Sequence, residues 1–513
     1  KYRSYIRKST WDYGKITSAA KKTEESSVFE MYYDFEEPVR RIAGYRVLAI
    51  NRGEKEGILQ VKIEPDQKRI AGYLTKQIIT RRNENTTKIL LEAIEDSYKR
   101  LIAPSIERDI RSELTEKAET AAIKVFGKNL EQLLMQPPIA GQVVLGWDPA
   151  FRTGCKLAVV DATGKVLDTV VVYPTAPQNK VEEAKKTVKD LIHKYGVTLI
   201  SIGNGTASRE SEQIVVEMLK EIKEPVQYVI TNEAGASVYS ASKLAAEEFP
   251  NFDVGQRSAA SIARRVQDPL AELVKIEPKA IGVGQYQHDM NQKQLSQALG
   301  GVVEATVNKV GVDLNTASAS LLEYVSGISK TVARNIVAFR EENGRFQNRK
   351  ELLKVVKLGP KAFEQCAGFL RVTGGNQPLD ATGVHPETYK ETLQLLDKLG
   401  YSREELSGEG FSGISENITD YTALSEELGI GEITLRDIVK ELEKPGRDPR
   451  EDLPKPILRT DVLEIGDLKP GMQLKGTVRN VIDFGAFVDI GVHQDGLVHI
   501  SQMSEKYIKH PLE

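Results

Sequence analysis

Cysteine is scarce in this chain of 513 residues: Cys155 and Cys366 are the only two, far apart in sequence. Two such thiols build no disulfide framework, and their usage fits a reducing cytoplasm. No Cys-x-x-Cys occurs and the six histidines are scattered, which excludes the common zinc sites. His385, in a Val-His-Pro-Glu turn, reads as a capping or surface histidine. No Walker loop with Gly-Lys-Ser/Thr is present, so nucleotide hydrolysis is not indicated. No apolar run is long enough to span a membrane, and no signal peptide is visible. Net charge is also small, at −3. No global basic field therefore advertises a nucleic-acid partner, and any such contact must rest on local patches.

What is present is enough apolar material, 40%, for real cores, over a length that suggests roughly three to four domains. The chain opens at Lys1 without methionine and stops at Glu513 partway through its last domain, so it reads as part of a larger protein. Residues 1–140 read as mostly helical, with helical spacing over Thr23–Pro38 and Asn85–Gly127. Arg46–Asn51 and Gly57–Ile63 read as two short strands around the turn-rich Arg52-Gly53-Glu54-Lys55. The first 23 residues carry seven Lys or Arg against one acid, which reads as a solvated helix face that could also touch phosphate.

Pro137-Pro138 closes that region. Val143–Asp148, Lys156–Asp161 and Lys165–Tyr173 then read as three meandering strands. Helix Lys180–Tyr195, strand Thr198–Ile202, helix Ser208–Ile222, strand Gln227–Ile230 and helix Ser240–Glu248 follow. Meander, then alternation, implies a mixed sheet with packed helices. This order resembles the ribonuclease-H-like fold, in particular its resolvase-like YqgF branch. The resemblance implies carboxylates around a divalent cation, with Asp148 at the end of the first strand and Glu233 after a later one. Asp253 is the third candidate acid. In a tight match Arg257 takes that place, which leaves an incomplete set. Asp268 reads as a helix cap before Pro269. Magnesium is expected only if the domain cuts; otherwise no cofactor is expected.

Ser326-Gly-Ile-Ser-Lys330 and Lys357-Leu-Gly-Pro-Lys361 each sit between helical stretches, and resemble a tandem helix-hairpin-helix. Gly327 and Gly359 would let backbone N–H groups at a helix start face a phosphate oxygen, with Lys330 and Lys361 adding charge. Tyr324–Arg371 holds ten Lys or Arg against four acids, unlike the chain as a whole. The alternative is a packing module whose Val332, Ile336 and Phe339 are core. Residues 376–445 carry no chemical motif and read as a small helical domain. The Pro-rich, charged stretch 446–468 reads as a linker that tethers the last domain semi-independently.

From Lys469 onward the chain alternates at period two. Phe484-Gly485-Ala486-Phe487 would place its rings on opposite faces of a regular strand. Gly485 permits a kink that could bring both to one surface. With His499 they would form a stacking platform for unpaired bases, with Lys475 and Arg479 nearby. The string Gly476–Gly491 and Gly496-Leu-Val-His-Ile-Ser501 resembles the S1-type RNA-binding domain, an OB-fold β-barrel.

The expected architecture is multi-domain α+β. A mainly helical scaffold (1–140) carries a YqgF-like α/β domain (141–290), tandem helix-hairpin-helix (291–375), small helical domain (376–445), linker (446–468) and truncated S1 barrel (469–513). This order, with Trp147–Lys156, Gly203–Arg209, Gln267–Ile276 and Val283–Asp289, resembles the bacterial Tex family of transcription accessory proteins. The expected protein is a cytoplasmic monomer, and the resemblance implies that it binds nucleic acid, mainly RNA with DNA as a second ligand, and works with RNA polymerase, with the ribosome as a further partner. A metal-dependent nuclease or resolvase is the alternative.

Overall fold

The computed structural model describes residues 2–21, 27–282, 284–402, 405–406, 410–459, 468–474, 476–482, 484–490, 492, 494–504, 506, 508 and 511. Helix α1 (Tyr2–Tyr13) leads into β1 (Lys15–Ala20), the middle strand of a three-stranded antiparallel sheet with β2 (Asp34–Pro38) and β3 (Leu59–Glu64). The β3 expectation holds, and its side chains alternate strictly between core and solvent. Two expectations do not hold. Residues 34–38 form strand rather than helix, and 22–26 lie outside the described residues. Arg46–Asn51 lies inside helix α2 (Gly44–Lys55). A short apolar run does not distinguish strand from buried helix by period. Here Val47, Leu48, Ala49 and Ile50 are all buried, and α2 packs against the helix at 103–134.

Helices α3 (Gln67–Ile78) and α4 (Glu84–Ser97) and one π-turn precede that helix, α5 (Ala103–Leu134). The basic face of α1 docks on α5. Arg3 pairs with Asp109 at 2.8 Å, Arg7 pairs with Glu113, and Lys117 lies 4.4 Å from the Trp11 ring.

The next domain follows the sequence reading closely. Strands β4 (Val144–Asp148), β5 (Cys155–Val160) and β6 (Val166–Val172) meander. Helix α6 (Val181–Tyr195), β7 (Leu199–Gly203), α7 (Ser208–Leu219) and β8 (Gln227–Thr231) alternate after them. The sheet order is β6-β5-β4-β7-β8, with β4, β7 and β8 parallel. Short helices α8 (Ala236–Ser240) and α9 (Lys243–Glu248) lead to α10 (Val254–Gln267), which packs across β4 and β5. Gly146 makes that packing possible, since a Cβ there would collide with the Ala259 carbonyl.

After α11 (Pro269–Leu273), helix α12 (Gln292–Val310) returns to pack along α5. Strand β9 (Val312–Asp313), α13 (Ala319–Leu322), α14 (Lys330–Asn343), α15 (Pro360–Cys366) and β10 (Leu370–Arg371) complete the hairpin region. It shares one hydrophobic core with the first 135 residues. Helices α16 (Tyr389–Leu399), α17 (Tyr421–Leu428) and α18 (Glu432–Glu443) close over a separate core.

Strands β11 (Thr477–Ile482), β12 (Gly485–Asp489) and β13 (Gly496–His499) form an antiparallel sheet. Among the described residues this OB-like sheet is not closed into a barrel. The described part of the linker, residues 446–459, is anchored rather than loose. Arg450 is buried against Asp268 and Asp448, and Arg459 makes an antiparallel bridge to Tyr228 at the edge of β8. Both thiols are buried and unpaired. Among the described residues no helix is long and apolar enough to cross a membrane.

Candidate nucleic-acid interface and carboxylate pair

The parallel strands β4, β7 and β8 present their carboxyl ends together, where α/β sheets of this kind place ligands. Asp148 ends β4. Glu233 follows β8, and its N–H donates to Asn204 Oδ1 at 3.1 Å. The loop Gly203-Asn204-Gly205 wraps the Glu233 carboxylate. The Gly205 N–H donates to it, and a Cβ on Gly203 or Gly205 would collide with it. Burial pushes the Asp148 carboxyl above its ordinary range, against a hydrogen bond from Ser258 and the charge of Lys156. Burial and the Asp148 charge push Glu233 the same way. The two sequence candidates are therefore electrostatically coupled neighbours.

Asp253 does not join them. It is exposed and caps α10, accepting from Gln256 N at 2.8 Å in a reciprocal capping box. Arg257 does not occupy the third acid's place either. Its guanidinium donates to the Phe249 and Ser240 carbonyls. The side chain facing Asp148 is Ser258, one residue on. Two turns further, Arg265 is 5% exposed, donates to the Asn232 and Ala234 carbonyls, and is pushed down to about 10 by burial, opposed by Glu272 and Glu233. Among the described residues no three His, Cys, Asp or Glu side chains cluster as metal ligands. Two carboxylates beside a buried guanidinium are a poor donor set for a divalent ion. The sequence signal for Ser258 and Arg265 was their spacing of seven, two helical turns on one face.

The two hairpins have the same backbone form, with one correction. Gly327 takes φ +83°, and its counterpart in the second hairpin is Lys357 at φ +67°, not Gly359. Gly359 is the extended N-cap of α15, at φ −87°, and a Cβ there would meet nothing. Its counterpart is Ser329, the N-cap of α14, which accepts from Val332 N. Ile328 and Leu358 plug the core beneath each turn. Asn308 and Asn335 brace the two turns, the first accepting from Ser326 N at 3.1 Å and the second donating to Val356 O at 2.7 Å. Lys330, Lys357 and Lys361 are exposed at the two helix starts. Val332 and Ile336 are core, and Phe339 packs against it.

In the C-terminal sheet, Gly485 opposes His499 and Phe487 opposes Leu497. Phe487, Leu497 and His499 therefore share one face. Leu497 is 47% exposed and Phe487 half-buried. His499 is exposed, and its Nδ1 accepts from Ser501 N at 3.3 Å, which fixes the ring. Gly485 admits the close approach of β13, because a Cβ would lie 2.5 Å from Val498 O. Phe484 sits in the turn before β12, off the strand. Its ring meets Tyr45 of α2 edge-on, centroids 5.6 Å apart. Arg479 lies at a bulge and pairs with Asp489 at 2.6 Å and Asp495 at 3.4 Å, so its charge is already engaged. Lys475 lies outside the described residues.

A ribonuclease-H-like sheet, paired hairpins with lysines at their helix starts, and an OB-like sheet with rings on one face together define a multi-domain nucleic-acid-binding scaffold. Family comparisons agree part by part: a Tex central region-like domain at 1–126, a Tex protein YqgF-like domain at 142–267, a helix-hairpin-helix motif at 307–371, an HHH domain at 377–450 and an S1 RNA binding domain at 467–513. The fourth of these falls where no motif was read from sequence. Among similar proteins, the uncharacterized protein YdcI of Bacillus subtilis is 60% identical over all of this chain and 72% of its own length. The transcriptional accessory protein Tex of Neisseria gonorrhoeae is 49% identical over 96% of this chain and 65% of its own length. The human S1 RNA-binding domain-containing protein 1 is 38% identical over 95% of this chain and 55% of its own length. The chain belongs to the Tex family. It spans between 55% and 72% of the lengths of these three relatives.

Proposed function

We propose that this protein is an RNA-binding transcription accessory factor, a cytoplasmic monomer working with RNA polymerase, with the ribosome as a further partner. The observation that carries this reading is the shared, accessible face of Phe487, Leu497 and His499 in the S1 sheet. The hairpins add contact to DNA or structured RNA. Stacking contributes roughly 1–3 kcal/mol per base, so Phe487→Ala and His499→Ala should each weaken binding of a labelled single-stranded RNA about tenfold. Folded variants that bind like the parent would sink the reading. Recovery of RNA polymerase subunits with the full-length protein from cells tests the partner.

A second reading, a metal-dependent nuclease, is favoured by one observation, the Asp148–Glu233 pair on a ribonuclease-H-like sheet. The donor set argues instead for a fold kept for binding. With magnesium or manganese, purified protein should leave single-stranded, duplex and junction substrates intact. Cleavage that disappears in Asp148→Asn would establish the nuclease.

A further inference from the structure

We propose that the RNA path does not end at the S1 sheet but crosses onto the first domain, where Tyr45 and Arg46 form a second stacking and phosphate site for single-stranded RNA. This extends the RNA-binding reading above and rests on it. Phe484 and Tyr45 touch edge-on across the domain boundary, and each residue stays only half-buried. Arg46 stands beside Tyr45, its guanidinium carbon 5.6 Å from that ring and 5.8 Å from the Phe35 ring. Glu37 holds the guanidinium at 2.9 Å, and 36% of the Arg46 side chain remains accessible. Arg40 and Arg41 are exposed in the turn that leads into α2. Rings alternating with cations along a groove are what sequence-tolerant single-strand sites use. The arrangement puts two half-buried aromatic residues from different domains against each other, with three arginines within seven residues of chain.

The test is RNA length dependence in the intact chain, using oligouridylates of about 4 and about 20 nucleotides, the first within and the second beyond the roughly 4–16 nucleotides that one OB-fold site covers. Tyr45→Ala should weaken the longer RNA about tenfold and leave the shorter one unchanged, with Tyr45→Phe restoring binding. Unchanged affinity for the longer RNA overturns the proposal. So does tighter binding of either RNA, which would make the Tyr45–Phe484 contact a mask over Phe484. If Phe487→Ala also leaves both lengths unaffected, the RNA-binding reading itself fails. A second measurement needs no substitution. RNA carrying 4-thiouridine, photocross-linked to the unaltered chain, should label the peptide containing Tyr45 and Arg46. Labelling confined to the S1 strands overturns the proposal.

Discussion

Asp148 binds its proton more tightly in the fold than in an unfolded chain, because burial outweighs Ser258 and Lys156. A carboxyl raised in this way favours folding at low pH, and that contribution is lost as pH rises through the raised value. Asp148→Asn should therefore melt higher than the parent at neutral pH, by roughly 2 °C. The advantage should shrink as the solution is acidified. A calorimetric pH series checks this, and a constant difference would contradict it. The same residue shows where sequence reading fell one position short. Adjacent helix residues point about 100° apart, so assigning the third position to Arg257 rather than Ser258 moved it off the face of α10 that meets Asp148. A linear string holds no such direction until the helix is docked.

Among the elements, the paired hairpins give a sharp expectation. Converting Lys330, Lys357 and Lys361 together to Glu should flatten the salt dependence of duplex DNA binding, with the log–log slope falling by about 0.9 for each phosphate no longer neutralised. S1-mediated binding of short single-stranded RNA should be unaffected. An unchanged slope in the folded variant would assign the hairpins to packing. The YqgF-like sheet was legible almost strand for strand, because short apolar strands bounded by turn residues leave a strong pattern. The first domain was not, because α2 is buried on several sides and loses its 3.6-residue period. The left-handed turn at Lys357 was not legible either. Glycine suggests a positive φ, yet here Lys357 takes that conformation at a cost of about 1–2 kcal/mol. Phe487 and His499, expected on one surface, share a face of the C-terminal sheet, whereas Phe484, expected beside them, lies off the strand against Tyr45. The engagement of Arg479 was not legible, since Asp489 and Asp495 reach it only through strand pairing.

For the whole molecule, the S1 sheet is held by more than its linker. Arg459 joins β8 through its backbone and Asp489 through its side chain at 3.0 Å. Asn129 of α5 donates to Asn480 Oδ1 at 2.6 Å. Asp489→Ala leaves two guanidiniums without that partner and should weaken this docking by about 1–3 kcal/mol. Trypsin should then cut faster between residues 446 and 468, with the melting of the YqgF-like domain unchanged. Equal cleavage rates would show that the docking does not depend on Asp489. Helix α5 sets a different constraint. It spans 32 residues, about 48 Å. It touches α1, α2, β3, α11, α12 and β11 along its length. Ile106, Ile110, Leu114 and Ala118 are buried near its start, and Asn129, Leu130 and Leu134 near its end. All of these neighbours read one helical phase. A single residue inserted at Ala121 would turn the far half by about 100° and swing Asn129 away from the S1 sheet, though no side chain in the interface had been altered. The length of α5 is thus as fixed as its sequence, and room for insertion lies in the loops around this rod.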